Sequence, residues 1–266
     1  MTSILLTNDD GIDSPGLAVL HEALTGLGEV VTIAPSRNQS AVARSITIGR
    51  PLRVRRACLS SGAPGFAVGG TPVDCVRVGL LGVVGPSPDL VVSGINLGAN
   101  MGNDVSYSGT VGAVLEACLH GLQGVAVSVE SRTPSHLPTF TGVLANLVRQ
   151  LLNHALPPGV VLNVNLPDLP ARKLSGARVT TLGGASCHDR VALQSDDGLG
   201  GEYEVSCLRP SAVAVPDDFT AVAQGFVSLT PLHYELTSQP GLDVLAEWTL
   251  DEVVGASVGA LRGGGA

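Results

Sequence analysis

Short apolar runs alternate with helical patterns from residue 3 to residue 165, and few folds accommodate that rhythm. Residues 3–7 form an apolar run closed by polar residues, as suits a buried parallel strand. Pro15 opens a helix in which Leu17, Leu20, Leu24 and Leu27 share one face, and Gly28 ends it. Residues 29–34 read as a second strand, 46–54 around Gly49-Arg50-Pro51 as a hairpin, and 71–81 as a helix started at Thr71-Pro72. A strand over 89–93, a helix over 110–120 stopped by Gly121, a strand over 125–129, a helix over 139–154 and a strand over 160–165 follow. The expected fold is α/β: a doubly wound, Rossmann-like, mostly parallel sheet with helices on both faces.

After Arg178 the rhythm changes, so residues 1–180 read as the catalytic domain and 181–266 as a C-terminal extension. Residues 183–216 carry Gly183-Gly184, Asp196-Asp197-Gly198 and Gly200-Gly201 with little apolar period. Such a segment extends as a hairpin arm, packs on another subunit, or is a surface loop. Residues 217–224 read as a short helix, 226–229 as a strand, and 244–258 as a terminal helix with Trp248 as its packing anchor.

Composition removes several function classes. A net charge of -8 argues against a protein that grips a nucleic-acid duplex by neutralising phosphates. Uncharged stretches such as 133–148 fall short of the roughly 20 apolar residues of a membrane span. The first residues lack a basic start and reach Asp9 too early for a secretory signal. The 5 cysteines are scattered and form no CxxC, which suits a reducing cytoplasm better than disulfides or zinc.

Three loops carry chemistry. Thr7-Asn8-Asp9-Asp10-Gly11 falls where the first strand ends, at the edge where ligands bind in open α/β sheets. Two adjacent carboxylates repel each other unless a hard cation neutralises them, although Asp-Asp-Gly alone also describes a solvated turn. Ala34-Pro35-Ser36-Arg37-Asn38-Gln39-Ser40 ends the second strand and offers neutral oxygens, or is an ordinary turn. The third loop runs from Ser93-Gly94-Ile95-Asn96 through Asn100 to Tyr107-Ser108-Gly109-Thr110-Val111-Gly112-Ala113. It matches neither GxGxxG nor a P-loop, yet Ser108-Gly109-Thr110 at a helix start presents N–H groups and hydroxyls to an anion. Capping by Ser108 alone would not need its asparagines.

These loops, with Gly70-Thr71-Pro72-Val73-Asp74, Leu162-Asn163-Val164-Asn165-Leu166-Pro167, Asp217-Asp218 and Ser228-Leu229-Thr230-Pro231-Leu232, resemble the SurE family of survival-protein nucleotidases over nearly the whole chain. The resemblance implies a 5'-nucleotidase, an acid-phosphatase-like hydrolase of nucleoside 5'- and 3'-monophosphates and of short polyphosphate. It implies one Mg2+ or Mn2+ per subunit on Asp9, Asp10, Ser40 and Asn96. Catalytic duty falls on Asp9, Asp10 and Asn96, and substrate phosphate binding on Asn100, Ser108, Gly109 and Thr110. A homodimer or homotetramer with exchanged C-terminal arms is also implied.

Attack by an activated water, by a water oriented on a carboxylate, or by a carboxylate itself stays open. Ala41 replaces the glycine usual in the family, and the chain departs after Leu232 at His233-Tyr234. A haloacid-dehalogenase-like phosphatase is disfavoured because it needs DxD and a later Lys, whereas Lys173 is the single lysine. A nucleotide sensor without turnover is the rival. His188 and His233 fall in the variable C-terminal part; approach to the site from a partner subunit is the minor reading for either, and their roles stay open. The Arg53–Arg56 run reads as a solvated strand face, and Asp74 as a cap.

Overall fold

The computed structural model describes residues 2–184, 188–197, 200–208, 217–249 and 253. In chain order the elements are β1 (Ser3–Thr7), α1 (Pro15–Leu24), β2 (Glu29–Pro35), β3 (Val54–Cys58), β4 (Pro64–Val68), α2 (Pro72–Leu80), β5 (Leu90–Leu97) and α3 (Gly109–Leu119). They continue with β6 (Gln123–Val129), α4 (Phe140–Asn153), β7 (Val160–Leu166), β8 (Gly176–Val179), β9 (His188–Asp196), β10 (Gly201–Leu208), α5 (Asp218–Ala223), β11 (Phe226–His233) and α6 (Gln239–Ala246). Met1–Tyr234 form one compact unit and Glu235–Ala266 a second, to which α6 belongs.

Nine strands make the main sheet in the order β3-β4-β2-β1-β5-β6-β7-β11-β8. Every pairing is parallel except β3 with β4 and β11 with β7. All five residues of β1 are buried, which is why its sequence is a continuous run rather than an alternation. On one face α1 and α4 pack Leu17, Leu20, Leu24, Phe140, Leu144 and Val148 against the sheet. On the other, α2 and α3 contribute Val76, Val78, Val111, Val114 and Ala117. Phe140, Leu144 and Val148 recur at every fourth position of α4, and each fully buried side chain of this kind contributes about 1.5–3 kcal/mol.

The doubly wound architecture expected from the sequence is therefore present, with a separate antiparallel hairpin of β9 and β10 within the 183–216 segment. Three details differ. Residues 46–53 form no strand; the hairpin is β3–β4. Thr47 donates its N–H (2.9 Å) and hydroxyl (2.7 Å) to the Asp74 carboxylate, so side-chain bonds to the start of α2 hold this segment where a partner strand was expected. Asp74 also completes a capping box with Thr71, the role the sequence suggested.

The second difference is β5, which continues four residues past Ser93 with a register shift against β6 between Ser93 and Asn96. Gly94 has φ 140°, and a Cβ there would stand 2.3 Å from the Val127 carbonyl oxygen, so only glycine fits. Third, α6 starts earlier than expected, behind the Ser238 cap, and stops at Ala246. Trp248 lies beyond it and is 56% exposed, so it anchors no helix core; most of 250–266 lies outside the described residues.

Candidate metal and phosphate site

The strand order reverses at β1, with β2 on one side and β5 on the other. Loops leaving the carboxyl ends of β1 and β5 diverge there and open a crevice. A cavity of about 870 Å³ occupies it. The loop after β1 supplies Asp9 and Asp10 to its wall, and the loop after β2 supplies Asn38 and Ser40. The end of β5 and its following loop supply Asn96, Asn100 and Ser108.

Asp9 is 3% exposed, and its position is set from three sides. Asn8 closes a turn by accepting the Gly11 N–H (3.1 Å), which carries the chain away just after the Asp pair. The Gln39 N–H donates to the Asp9 carbonyl (2.7 Å), tying the loop after β2 to the loop after β1. Thr110 donates its N–H to Asp9 Oδ2 (3.2 Å) and its hydroxyl to Asp9 Oδ1 (2.5 Å). A Cβ on Gly109 would stand 3.0 Å from the Asp9 Cβ, so that glycine lets the start of α3 approach the carboxylate.

Burial nevertheless pushes the Asp9 carboxyl above the usual range, outweighing its hydrogen bonds with Thr110 and Gly109. Burial, and then repulsion from Asp9, raises Asp10 to about 6, although the Leu97 N–H donates to its Oδ2 (3.1 Å). Ionising both carboxyls in this partly desolvated crevice is thus costly unless a cation stands beside them. Asn96 completes the picture: its Nδ2 donates to the Gly98 carbonyl (2.7 Å), which leaves Oδ1 as the free acceptor. Two carboxylates, an amide oxygen and a hydroxyl make a hard, oxygen-only donor set suited to Mg2+ or Mn2+. Among the described residues no group of three or more His, Cys, Asp and Glu gathers anywhere as a metal cluster.

The residues expected to bind phosphate separate into two kinds. Asn100 and Ser108 reach the cavity. Ser108 Oγ accepts the Val111 N–H (3.1 Å) as the cap of α3, and its hydroxyl hydrogen remains available. Thr110 is fully buried, and its N–H and hydroxyl are both directed to Asp9; with Gly109 it borders the carboxylate, and neither forms part of the cavity wall. Ser40 is exposed beside Ala41, whose φ of 60° is the left-handed conformation a glycine takes without strain.

Behind the wall lies a buried polar lattice. Asn163 and Asn165 of β7 donate to the Asn100 carbonyl (2.8 and 3.0 Å), and the Asn100 amide donates to Ser128 Oγ (2.8 Å). Asp218, fully buried, accepts N–H bonds from Gly102 (2.9 Å) and Gly183 (2.8 Å). Sequence reasoning did not assign Arg132, Asp104 or Glu204 to the site, yet all three line the cavity. Arg132 and Glu204 sit in segments with no motif: the place of β6 beside β5 brings the first to this edge, and the separate β9–β10 hairpin carries the second.

Among the described residues no histidine lines the cavity wall. His136 pairs with Asp168 (3.1 Å), and His120 lies 3.5 Å from Glu116. His233 stacks on Tyr234 and pairs with Val160, the first residue of β7, at the sheet end opposite the cavity. His188 opens β9, and its side chain lies outside the described residues.

Fold and site together define a Rossmann-like α/β protein with an oxygen-rich acidic crevice at its topological switch point. The chain belongs to the Survival protein SurE family, whose profile matches residues 4–189. It is 43% identical to the 5'-nucleotidase SurE of Rubrobacter xylanophilus over 265 residues, covering 94% of this chain and 98% of that protein. Against the 5'-nucleotidase SurE of Geobacter metallireducens the identity is 41% over 258 residues, covering 94% and 98%. The crystal structure of the SurE protein from Aquifex aeolicus superposes with a TM-score of 0.80 at 36% identity, covering 92% of this chain and all of that one.

Proposed function

We propose that the chain hydrolyses nucleoside 5'-monophosphates to nucleoside and phosphate in a reaction dependent on a divalent cation, and that 3'-monophosphates and short polyphosphate are further substrates. The observation that carries this reading is the Asp9–Asp10 pair, raised by burial, facing the same cavity as Asn100 and Ser108, the cap of α3. Names of the relatives support the nucleotide as substrate. Asp9, Asp10, Ser40 and Asn96 are the residues that would hold the cation, which supplies charge neutralisation at a phosphate oxygen and an activated water. Asn100 and Ser108 donate to the remaining phosphate oxygens. Gly109 and Thr110 act on the phosphate through Asp9, whose carboxylate they orient.

The test is phosphate release from a panel of 5'- and 3'-nucleoside monophosphates by chelator-stripped protein, with and without Mg2+ or Mn2+. Metal-restored release that Asn96→Ala lowers by roughly 100-fold is expected, since that variant deletes a ligand oxygen. Intact metal binding with no release from any nucleotide would turn the reading into that of a nucleotide sensor.

The raised carboxyl values also set a pH dependence. A folded-state pKa above the unfolded 3.8 means that stability present at low pH is lost as pH rises through about 6, where Asp10 ionises beside Asp9. A bound cation offsets that loss only when both groups are ionised. The rise in melting temperature caused by Mn2+ should therefore be nearly absent at pH 5 and full at pH 7.5. An equal rise at both values would contradict the assignment.

Homo-oligomerisation is part of the same proposal. On the β9–β10 hairpin Val191 pairs with Val205 and Leu193 with Tyr203, and all four side chains are exposed. A two-stranded ribbon is marginal in water, so a second copy is its natural support. Free thiols at Cys58, Cys75 and Cys118 favour the reducing cytoplasm, and no helix among the described residues is long and apolar enough to cross a membrane.

A further inference from the structure

Among the described residues lining the cavity, carboxylates outnumber cations: Asp9, Asp10, Asp104 and Glu204 face one cation, Arg132. If Asp9 and Asp10 balance a divalent cation, a phosphate monoester dianion still needs positive charge from the protein. Arg132 ion-pairs with none of the described carboxylates, so its charge is uncommitted. Its stem lies over Gly98, with Cγ 3.7 Å from the point where a Gly98 Cβ would stand; Asn96 Nδ2 lies 3.9 Å from that same point. Arg132 and Asn96 therefore flank one patch of backbone at the cavity wall.

The loop that delivers Arg132 is pinned at both ends. The Gly98 N–H donates to the Val129 carbonyl (3.0 Å), and the Glu130 N–H to the Leu166 carbonyl (2.9 Å). Beyond Arg132, the N–H groups of Ser135 and His136 both donate to the Asp168 carboxylate at 2.9 Å. A long cation on an anchored loop, with no carboxylate partner and beside an acidic crevice, is placed for an arriving anion and not for the fold.

We propose that Arg132 is a phosphate-binding residue of the site, its guanidinium donating to the substrate's non-bridging phosphate oxygens opposite Asn100 and Ser108. This rests on the phosphomonoesterase reading above, and the test separates the two. Inorganic phosphate is titrated calorimetrically into the Mn2+-loaded full chain, for the wild type, Arg132→Gln and Arg132→Lys, alongside Mn2+ titrations and nucleotide turnover.

Arg132→Gln should weaken phosphate about 10- to 100-fold, the loss of a charge-assisted pair, and raise KM more than it lowers kcat. Arg132→Lys should recover part of that loss because it keeps the charge and not the fork. Melting temperature and Mn2+ affinity should stay at wild-type values. Phosphate affinity of Arg132→Gln within twofold of wild type overturns the proposal, as does a parallel fall in Mn2+ affinity or a wild type that binds no phosphate. Phosphate binding that depends on Arg132 in a wild type without turnover would uphold this residue's role and defeat the enzymatic reading alone.

Discussion

Asp9→Asn should lower metal-dependent phosphate release by at least about a thousandfold, roughly 4 kcal/mol in the barrier. Three physical effects act together in this substitution. It removes one of the two charges that draw a divalent cation into the crevice. It also sets an amide NH2 against Thr110, whose N–H and hydroxyl both donate to the present carboxylate. Finally, by weakening those bonds it loosens the approach of α3 to the loop after β1, where a Cβ on Gly109 would stand only 3.0 Å from the Asp9 Cβ. The stability of the metal-free protein should not fall in proportion, because burial already disfavours the ionised carboxyl. The pair of observations to look for is a lost melting shift with Mn2+ and a metal-free melting temperature near wild type. Near-normal turnover with metal bound to Asp9→Asn would remove Asp9 from the ligand set.

Asp218→Ala should destabilise the fold by about 3 kcal/mol, because N–H groups of Gly102 and Gly183 lose a buried acceptor. For a compact unit of this size that corresponds to a melting temperature lower by roughly 6–12 °C. Activity should fall further than stability explains. Gly102 follows Asn100 by two residues, so freeing it loosens the loop that carries Asn100 into the cavity. Asp218→Asn keeps one acceptor oxygen, so its effect on both measurements should be smaller. Equal melting temperatures for wild type and Asp218→Ala would show that this latch contributes nothing.

Local signals made much of the fold legible. The continuous run of β1, the fourfold spacing of Phe140, Leu144 and Val148, and the Thr71-Pro72 start of α2 each act within a few residues, and each stands where expected. Elements failed where a distant partner decides. Residues 46–53 have hairpin-like turn chemistry, but Asp74, 27 residues from Thr47 in sequence, claims their hydrogen bonds. Nothing local announces that Gly94 and Ile95 remain in β5, because that depends on the carbonyl of Val127 in the neighbouring strand.

The site divides the same way. Asp9, Asp10, Ser40, Asn96 and Asn100 could be singled out as candidates because they fall at or after strand ends, where a doubly wound sheet puts its ligands, and all five line the cavity. By itself the sequence determined the sheet class, the acidic pair and the hydroxyl-rich start of α3, since strand period, charge and capping are properties of neighbouring residues. Only the tertiary structure decided that Thr110 turns to Asp9, that Asp218 latches Gly102, and that Arg132 joins the cavity. The first two contacts span 101 and 116 residues of chain, the third depends on the order of β5 and β6, and no local pattern encodes which distant groups a burial will bring together.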